Sequence, residues 1–224
     1  MTLDPVNLWN KYDLYIFDLD GTLVDSLQQI ESAMNIARVS LNYTISPKGQ
    51  ILKNLGLPVQ YLFGDLNLTL NKQDVLIKSF RSELLAQISI SNQVFDGAFN
   101  LVSFIRSKGI KTAIATSKST TMAKKVIENS SLCDMFDHIQ GTDNFPAKPH
   151  PAVIENCLKL IHSKNAVMIG DRQEDILSAK AARIDAIGVA QSAHSEAELK
   201  EVGAIKTFPN ISFIYRELIS TFSG

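Results

Sequence analysis

From Asp96 onward the chain alternates short, apolar, β-rich runs with helical patterns, and that rhythm admits few folds. The β-type runs stand at 112–116, 138–141, 166–170 and 186–190, with a weaker one at 204–208. Helical periodicity covers 99–108, 120–129, 152–161, 174–182, 196–202 and 211–222. Strands joined through helices are crossover-connected and therefore parallel, so the expected class is α/β, a doubly wound, Rossmann-like parallel sheet. One further β run, 12–18 (Tyr-Asp-Leu-Tyr-Ile-Phe-Asp), stands apart from this series. Residues 27–93 between them read as helices, at 27–41, 47–55 and 72–88, with no convincing strand pair. The expectation is a helical insertion after the first strand, dividing the chain into a core of 1–25 and 96–224 and an insertion of 26–95.

Local signals fit this division. Gly109 suits the position after a helix end, and the Ser/Thr cluster before 120 can cap a helix start. Gly56 reads as a helix C-cap rather than a hinge, and Arg81 as part of a solvated helix face rather than an anion contact. Trp9 reads as a packing residue.

Composition bounds the function. At 224 residues and 45% apolar content the chain can bury a substantial core. A formal net charge of −1 argues against a broad nucleic-acid footprint. The longest apolar runs, such as 166–170, fall far short of a membrane span. The first ten residues, with Asp4 and Pro5, lack the pattern of a secretory signal. Cys133 and Cys157 sit in unrelated segments without metal or redox spacing, and read as reduced thiols of a cytoplasmic protein. His138, His150, His162 and His194 are equally scattered and make no zinc pattern.

The densest chemical signal is Asp18-Leu19-Asp20-Gly21-Thr22-Leu23-Val24-Asp25. Asp18 ends an apolar strand, where the carboxyl end of a parallel sheet opens onto a ligand crevice. Asp20 shares its side-chain parity, so both carboxyls can face one substrate. Gly21 permits a sharp turn. Two adjacent acids suit metal-assisted phosphoryl transfer, one attacking phosphorus while the other handles protons.

This octet resembles the first motif of the haloacid dehalogenase-like hydrolase superfamily, which carries three more motifs in fixed order. The second resembles Thr112-Ala113-Ile114-Ala115-Thr116 with Ser117-Lys118, an apolar strand ending in a hydroxyl. The third resembles Ala147-Lys148-Pro149-His150-Pro151, and the fourth Gly170-Asp171-Arg172-Gln173-Glu174-Asp175 after an apolar strand. The resemblance spans essentially the whole chain.

The resemblance implies roles. Asp18 is the nucleophile that becomes an aspartyl phosphate, and Asp20 is the general acid and then the base. Thr116, Ser117 and Lys148 hold the phosphoryl group, with Pro149 expected to open the following helix and so fix where the lysine emerges. Mg²⁺ is held by Asp18, Asp20 through its backbone carbonyl, and Asp171, with Asp175 a ligand or an orienting neighbour. The inserted helices match a C1-type cap that closes over the site and reads the leaving group. Size and motif order resemble phosphoglycolate phosphatase-like and β-phosphoglucomutase-like members. The Gly-Val-x-Trp-Gly of the former is replaced here by Gly188-Val189-Ala190-Gln191-Ser192.

The expected activity is a phosphatase acting on a small-molecule phosphate ester: a phosphoglycolate-like acid, a sugar phosphate or a nucleotide. A phosphosugar mutase shares the motifs and stands as the alternative enzyme. A non-catalytic binding protein is the third reading, although Asp18, Asp20, Lys148 and Asp171 are all present. The oligomeric state is left open.

Overall fold

The computed structural model describes residues 9–47, 49, 51, 54, 59–88 and 92–222. Its centre is a six-stranded, all-parallel sheet: β1 (Leu14–Phe17), β2 (Lys111–Ala115), β3 (His138–Gln140), β4 (Ala166–Gly170), β5 (Asp185–Val189) and β6 (Lys206–Phe208). The strand order is β3-β2-β1-β4-β5-β6. The chain therefore starts in the middle, builds outward through β2 and β3, then returns to β4 and builds the other way.

β1 is buried along its whole length, as a central parallel strand requires. The period-two alternation of side chains divides the core. Tyr15 and Phe17 face one side, with Ile114, Val167 and Ile169, while Leu14 and Ile16 face the other, with Ala113 and Met168. The first side is covered by α3 (Ala98–Ser107), α4 (Thr120–Glu128) and α8 (Ile211–Phe222). The second is covered by α5 (Ala152–Ile161), α6 (Gln173–Ala181) and α7 (Glu196–Glu201). This is the doubly wound arrangement expected from the alternation.

Two long helices, α1 (Leu27–Ser40) and α2 (Leu70–Ile88), lie between β1 and α3 in the chain, with a 3₁₀ segment at Val59–Leu66. Leu76, Phe80, Leu84 and Ile88 recur every fourth residue along α2. They share a core cluster with Ile30, Ala33, Met34 and Ala37 of α1. Phe63 of the 3₁₀ segment meets Phe80 edge-on, with ring centroids 5.9 Å apart. Buried Arg38 pairs with Asp65, tying α1 to the 3₁₀ segment. The connections into and out of this helical unit run side by side: Asp25 N donates to Gln93 O at 2.8 Å and Phe95 N to Leu23 O at 2.9 Å.

Several boundaries shift for physical reasons. β1 begins at Leu14 because the Asp13 carboxylate turns outward to accept from Ser163 Oγ (2.5 Å) and the Lys164 and Asn165 amides. In the 3₁₀ segment Val59, Leu62, Phe63 and Leu66 stand at helical spacing, but the run is eight residues long and holds Gly64, and the sequence reading placed no element there. Most of the helix expected at 47–55 lies outside the described residues, as does Gly56. Gly109 closes α3 at φ +75° and Ser119 caps α4, as expected. Trp9 is fully buried and donates to Glu217 Oε1 at 2.8 Å. Both thiols are free, Cys133 exposed and Cys157 buried. Among the described residues no helix is long and apolar enough to cross a membrane.

Candidate active site

Three neighbouring strands deliver the site. Asp18 follows β1, Thr116 follows β2 and Asp171 follows β4, the strands on either side of β1. Asp18 N donates to Ile169 O at 2.9 Å, fixing the end of β1 against β4. The chain's course reverses here, and the crevice beyond the strand ends at such a reversal is where doubly wound sheets bind ligands.

Lys148 enters from the loop before α5. Its Nζ donates to Asp18 Oδ1 (2.5 Å), Asp175 Oδ1 (2.5 Å) and Ala115 O (2.9 Å). An ammonium has three protons, so all are used. Burial on its own would favour the neutral amine, but Asp175 and Asp18 outweigh it and hold Lys148 protonated, above the ordinary lysine range. Contrary to the sequence expectation, Pro149 does not open the helix. Helix α5 begins at Ala152 with Pro151 at its cap, leaving Lys148 and Pro149 in the loop, where the lysine can reach across β2 to the carboxylates.

The carboxylates outnumber that lysine. Asp18, Asp171 and Asp175 are all buried, and each offers an oxygen within 4.8 Å of the others. Burial raises Asp18 well above the usual carboxylate range; Lys148 opposes the rise, while Asp175 and Asp171 add to it. Burial, then Asp175, pushes Asp171 up to about 7 against the Thr22 and Ser192 hydroxyls. Crowded, buried carboxylates of this kind are relieved by a divalent cation with hard oxygen ligands.

The donor set fits such an ion. Asp171 Oδ1 accepts from Thr22 Oγ1 at 2.8 Å, while Oδ2 is buried without a hydrogen-bond partner among the described residues. Buried polar atoms are rarely left so, and an orphaned carboxylate oxygen beside two other carboxylates has the chemistry of a metal ligand. Asp175 differs: Lys148 occupies one oxygen and the Arg172 amide, at 3.0 Å, the other.

Asp20 faces the same cavity. Its Oδ2 pairs with Lys118 Nζ at 3.1 Å, and its Oδ1 is buried without a partner among the described residues. Thr116 Oγ1 accepts from the Lys118 amide at 3.2 Å, and Ser117 Oγ is buried and unpartnered. These residues form the loop that enters α4, the kind of helix start that binds phosphate oxygens. Asp18, Asp20, Thr116, Ser117, Lys148 and Asp175 all line one cavity of about 640 Å³. Asp171 is buried beside Asp18 and is not among the residues that line the cavity. The opposite wall comes from the helical unit, including Ile30, Leu62, Phe80 and Leu84, with exposed Arg81 at the rim.

Sequence reading missed the residues that hold this floor in shape. Gln191 Nε2 donates to Gly21 O (3.0 Å) and Thr22 O (2.8 Å), and its Oε1 accepts from Ile211 N (2.9 Å). One side chain thus joins the turn after Asp20 to the start of α8. Its only signal in the sequence was the departure from Trp-Gly at 191–192. Gly21 sits at φ +92°, and a Cβ there would stand 2.6 Å from Asp171 Oδ2 and 2.7 Å from Ser192 Oγ. A Cβ on Gly170 would overlap the Asp175 carboxyl. Glycine at both positions lets backbone and carboxylates close up.

Comparison with known proteins agrees with this geometry. Residues 15–189 match the family model described as haloacid dehalogenase-like hydrolase. The chain is 33% identical over 198 residues to "Probable phosphatase IndB" of Dickeya dadantii, covering 84% of this chain and 85% of that one. It is 27% identical to a "Phosphoglycolate phosphatase" of Colwellia psychrerythraea, covering 85% and 90%. The crystal structure of "a predicted phosphatase from Clostridium acetobutylicum" superposes with a TM-score of 0.82 at 28% identity, covering 93% of this chain and 99% of that one. The chain belongs to the haloacid dehalogenase-like hydrolase family, and within it to the phosphatases.

Proposed function

We propose that the protein is a Mg²⁺-dependent phosphatase that hydrolyses small phosphate monoesters through a phosphorylated Asp18. The observation that carries this is the triad Asp18–Lys148–Asp175 set beside the unpartnered Asp171 Oδ2. Asp18 and Asp171, with the Asp20 carbonyl, would hold the ion. Asp175, whose oxygens are both engaged, orients Lys148 instead. When bound, Mg²⁺ supplies charge neutralisation that lets an anionic carboxylate approach an anionic phosphate.

The chain's own residues do the rest. Thr116, Ser117 and the amides entering α4 cradle the phosphoryl oxygens. Lys148 holds the Asp18 carboxylate in place and offsets its charge. Asp18 attacks phosphorus, the ester P–O bond breaks, and Asp20 gives its proton to the departing oxygen. Asp20 then takes a proton from the water that attacks the aspartyl phosphate, releasing inorganic phosphate and restoring Asp18. We read residues 26–95 as a cap over residues 1–25 and 96–224. The cap helices form one wall of the cavity and screen it from bulk water.

The test is phosphate release from a panel of monoesters with Mg²⁺ and with excess chelator. Chelator-sensitive release supports the reading. Conversion of a sugar phosphate to its isomer without net phosphate release would replace it with the mutase reading.

A further inference from the structure

The two walls of the cavity differ in chemistry, and the difference bears on which ester is used. The helical wall contributes Ile30, Val59, Leu62, Phe80 and Leu84, all apolar, and Met122 extends that surface onto the sheet side. Among the described residues, the uncharged polar groups the helical unit adds are the carboxamides of Asn54 and Gln60. Carboxamides hydrogen-bond neutral donors and acceptors, and apolar side chains favour a leaving group with an apolar face.

Charge points the same way. Among the described residues the lining holds five carboxylates, Asp18, Asp20, Asp143, Glu174 and Asp175, against four cations, Arg81, Lys118, Lys148 and Arg172. Three of those cations already face carboxylates of the same lining: Lys148 with Asp18 and Asp175, Lys118 with Asp20, and Arg172 with Glu174 at 3.3 Å. A bound divalent ion and a phosphoryl dianion cancel each other. Among the described lining residues, a leaving group with its own carboxylate or second phosphate would then meet exposed Arg81 at the rim as the one cation that faces no carboxylate of the lining. Buried anions without a partner are costly. Size agrees: a cavity of about 640 Å³ is that of a ring-bearing ligand, and the two-carbon acid of phosphoglycolate would leave most of it unfilled.

We propose that the preferred substrate is a phosphate monoester whose leaving group is uncharged and carries a ring-sized apolar face, of the nucleoside or simple aryl type. The inference rests on the phosphatase reading above and narrows it.

The experiment measures kcat/KM with Mg²⁺ on uridine 5′-monophosphate, phenyl phosphate, phosphoglycolate and fructose 1,6-bisphosphate. At least one of the first two is expected to exceed both of the others by tenfold or more. Uridine monophosphate leading phenyl phosphate identifies the nucleoside type, and the reverse order the aryl type. Phosphoglycolate or the bisphosphate equalling the ringed esters overturns this inference alone. No release from any of the four overturns the phosphatase reading and this one with it.

Discussion

The floor and the helical wall of one cavity are built on opposite principles. The floor is a polar lattice in which Lys148 spends three hydrogen bonds, Gln191 three and Asp175 two, and most atoms can move only if several partners move with them. The wall is a packed apolar surface held by Phe80, Leu84 and their neighbours, with no fixed direction of contact. Directional bonds hold reacting atoms in register, whereas dispersion and apolar burial tolerate a range of shapes. On the proposed function, one region fixes the reaction and the other selects what is brought to it.

That division can be broken in order of expected effect. Asp18→Asn keeps the size of the side chain and removes the nucleophile; kcat should fall by at least about 10⁴-fold, with the circular dichroism spectrum unchanged. Steady-state kinetics on a preparation free of wild-type enzyme checks this. Gln191→Leu leaves Asp18, Asp20 and Asp171 untouched but frees the turn at Gly21 and Thr22. Loss of such a supporting contact should weaken Mg²⁺ affinity on the order of 10- to 100-fold, read by titration calorimetry. If affinity is unmoved, the floor does not depend on this clamp.

The third test uses protons. Asp18 and Asp171 are raised in the metal-free protein, Asp171 to about 7. A proton and a cation compete for the same carboxylate, so binding should release protons, and affinity should fall as pH drops below that value. The slope should be roughly tenfold per pH unit for each proton displaced. A flat profile between neutral and mildly acidic pH would contradict the assignment of the buried carboxylates as ligands.

The smallest effect belongs to the wall. Leu84→Ala removes apolar contact surface without touching the floor. KM for the preferred ester should rise by a factor of about 5 to 30, the equivalent of about 1–2 kcal/mol of lost burial, with kcat nearly unchanged. An equal fall in kcat would mean that the wall also positions reacting atoms.

The same contrast explains what the sequence made legible. The floor's principal residues sit at strand ends in short, ordered motifs, because a strand terminus is a fixed point in a parallel sheet. Asp18, Thr116, Lys148 and Asp171 could be named from spacing and resemblance, and the structure brings them together. Thr22, Lys118 and Gln191 were not assigned roles, because each acts through partners distant in the chain, such as the 149-residue separation between Thr22 and Asp171. The helical wall was legible as two amphipathic helices at α1 and α2. The 3₁₀ segment at Val59–Leu66 was not: its apolar residues stand at helical spacing, but the run is short, follows Pro58 and holds Gly64. Which side chains face the cavity depends on how α2 is rotated against α1, and a helical period leaves that open. Pro149 was misplaced for a related reason: proline is compatible with a helix start, but here the chain needs an extra turn of loop to carry Lys148 back over β2.

The central claim is that Asp18 carries the phosphoryl group. Acid quenching during turnover with Mg²⁺, followed by borohydride reduction and peptide mass mapping, tests it directly. The account predicts conversion of Asp18 to homoserine in the wild-type protein, and no conversion when chelator replaces Mg²⁺. Modification at another residue, or phosphate release by Asp18→Asn at the wild-type rate, would contradict it.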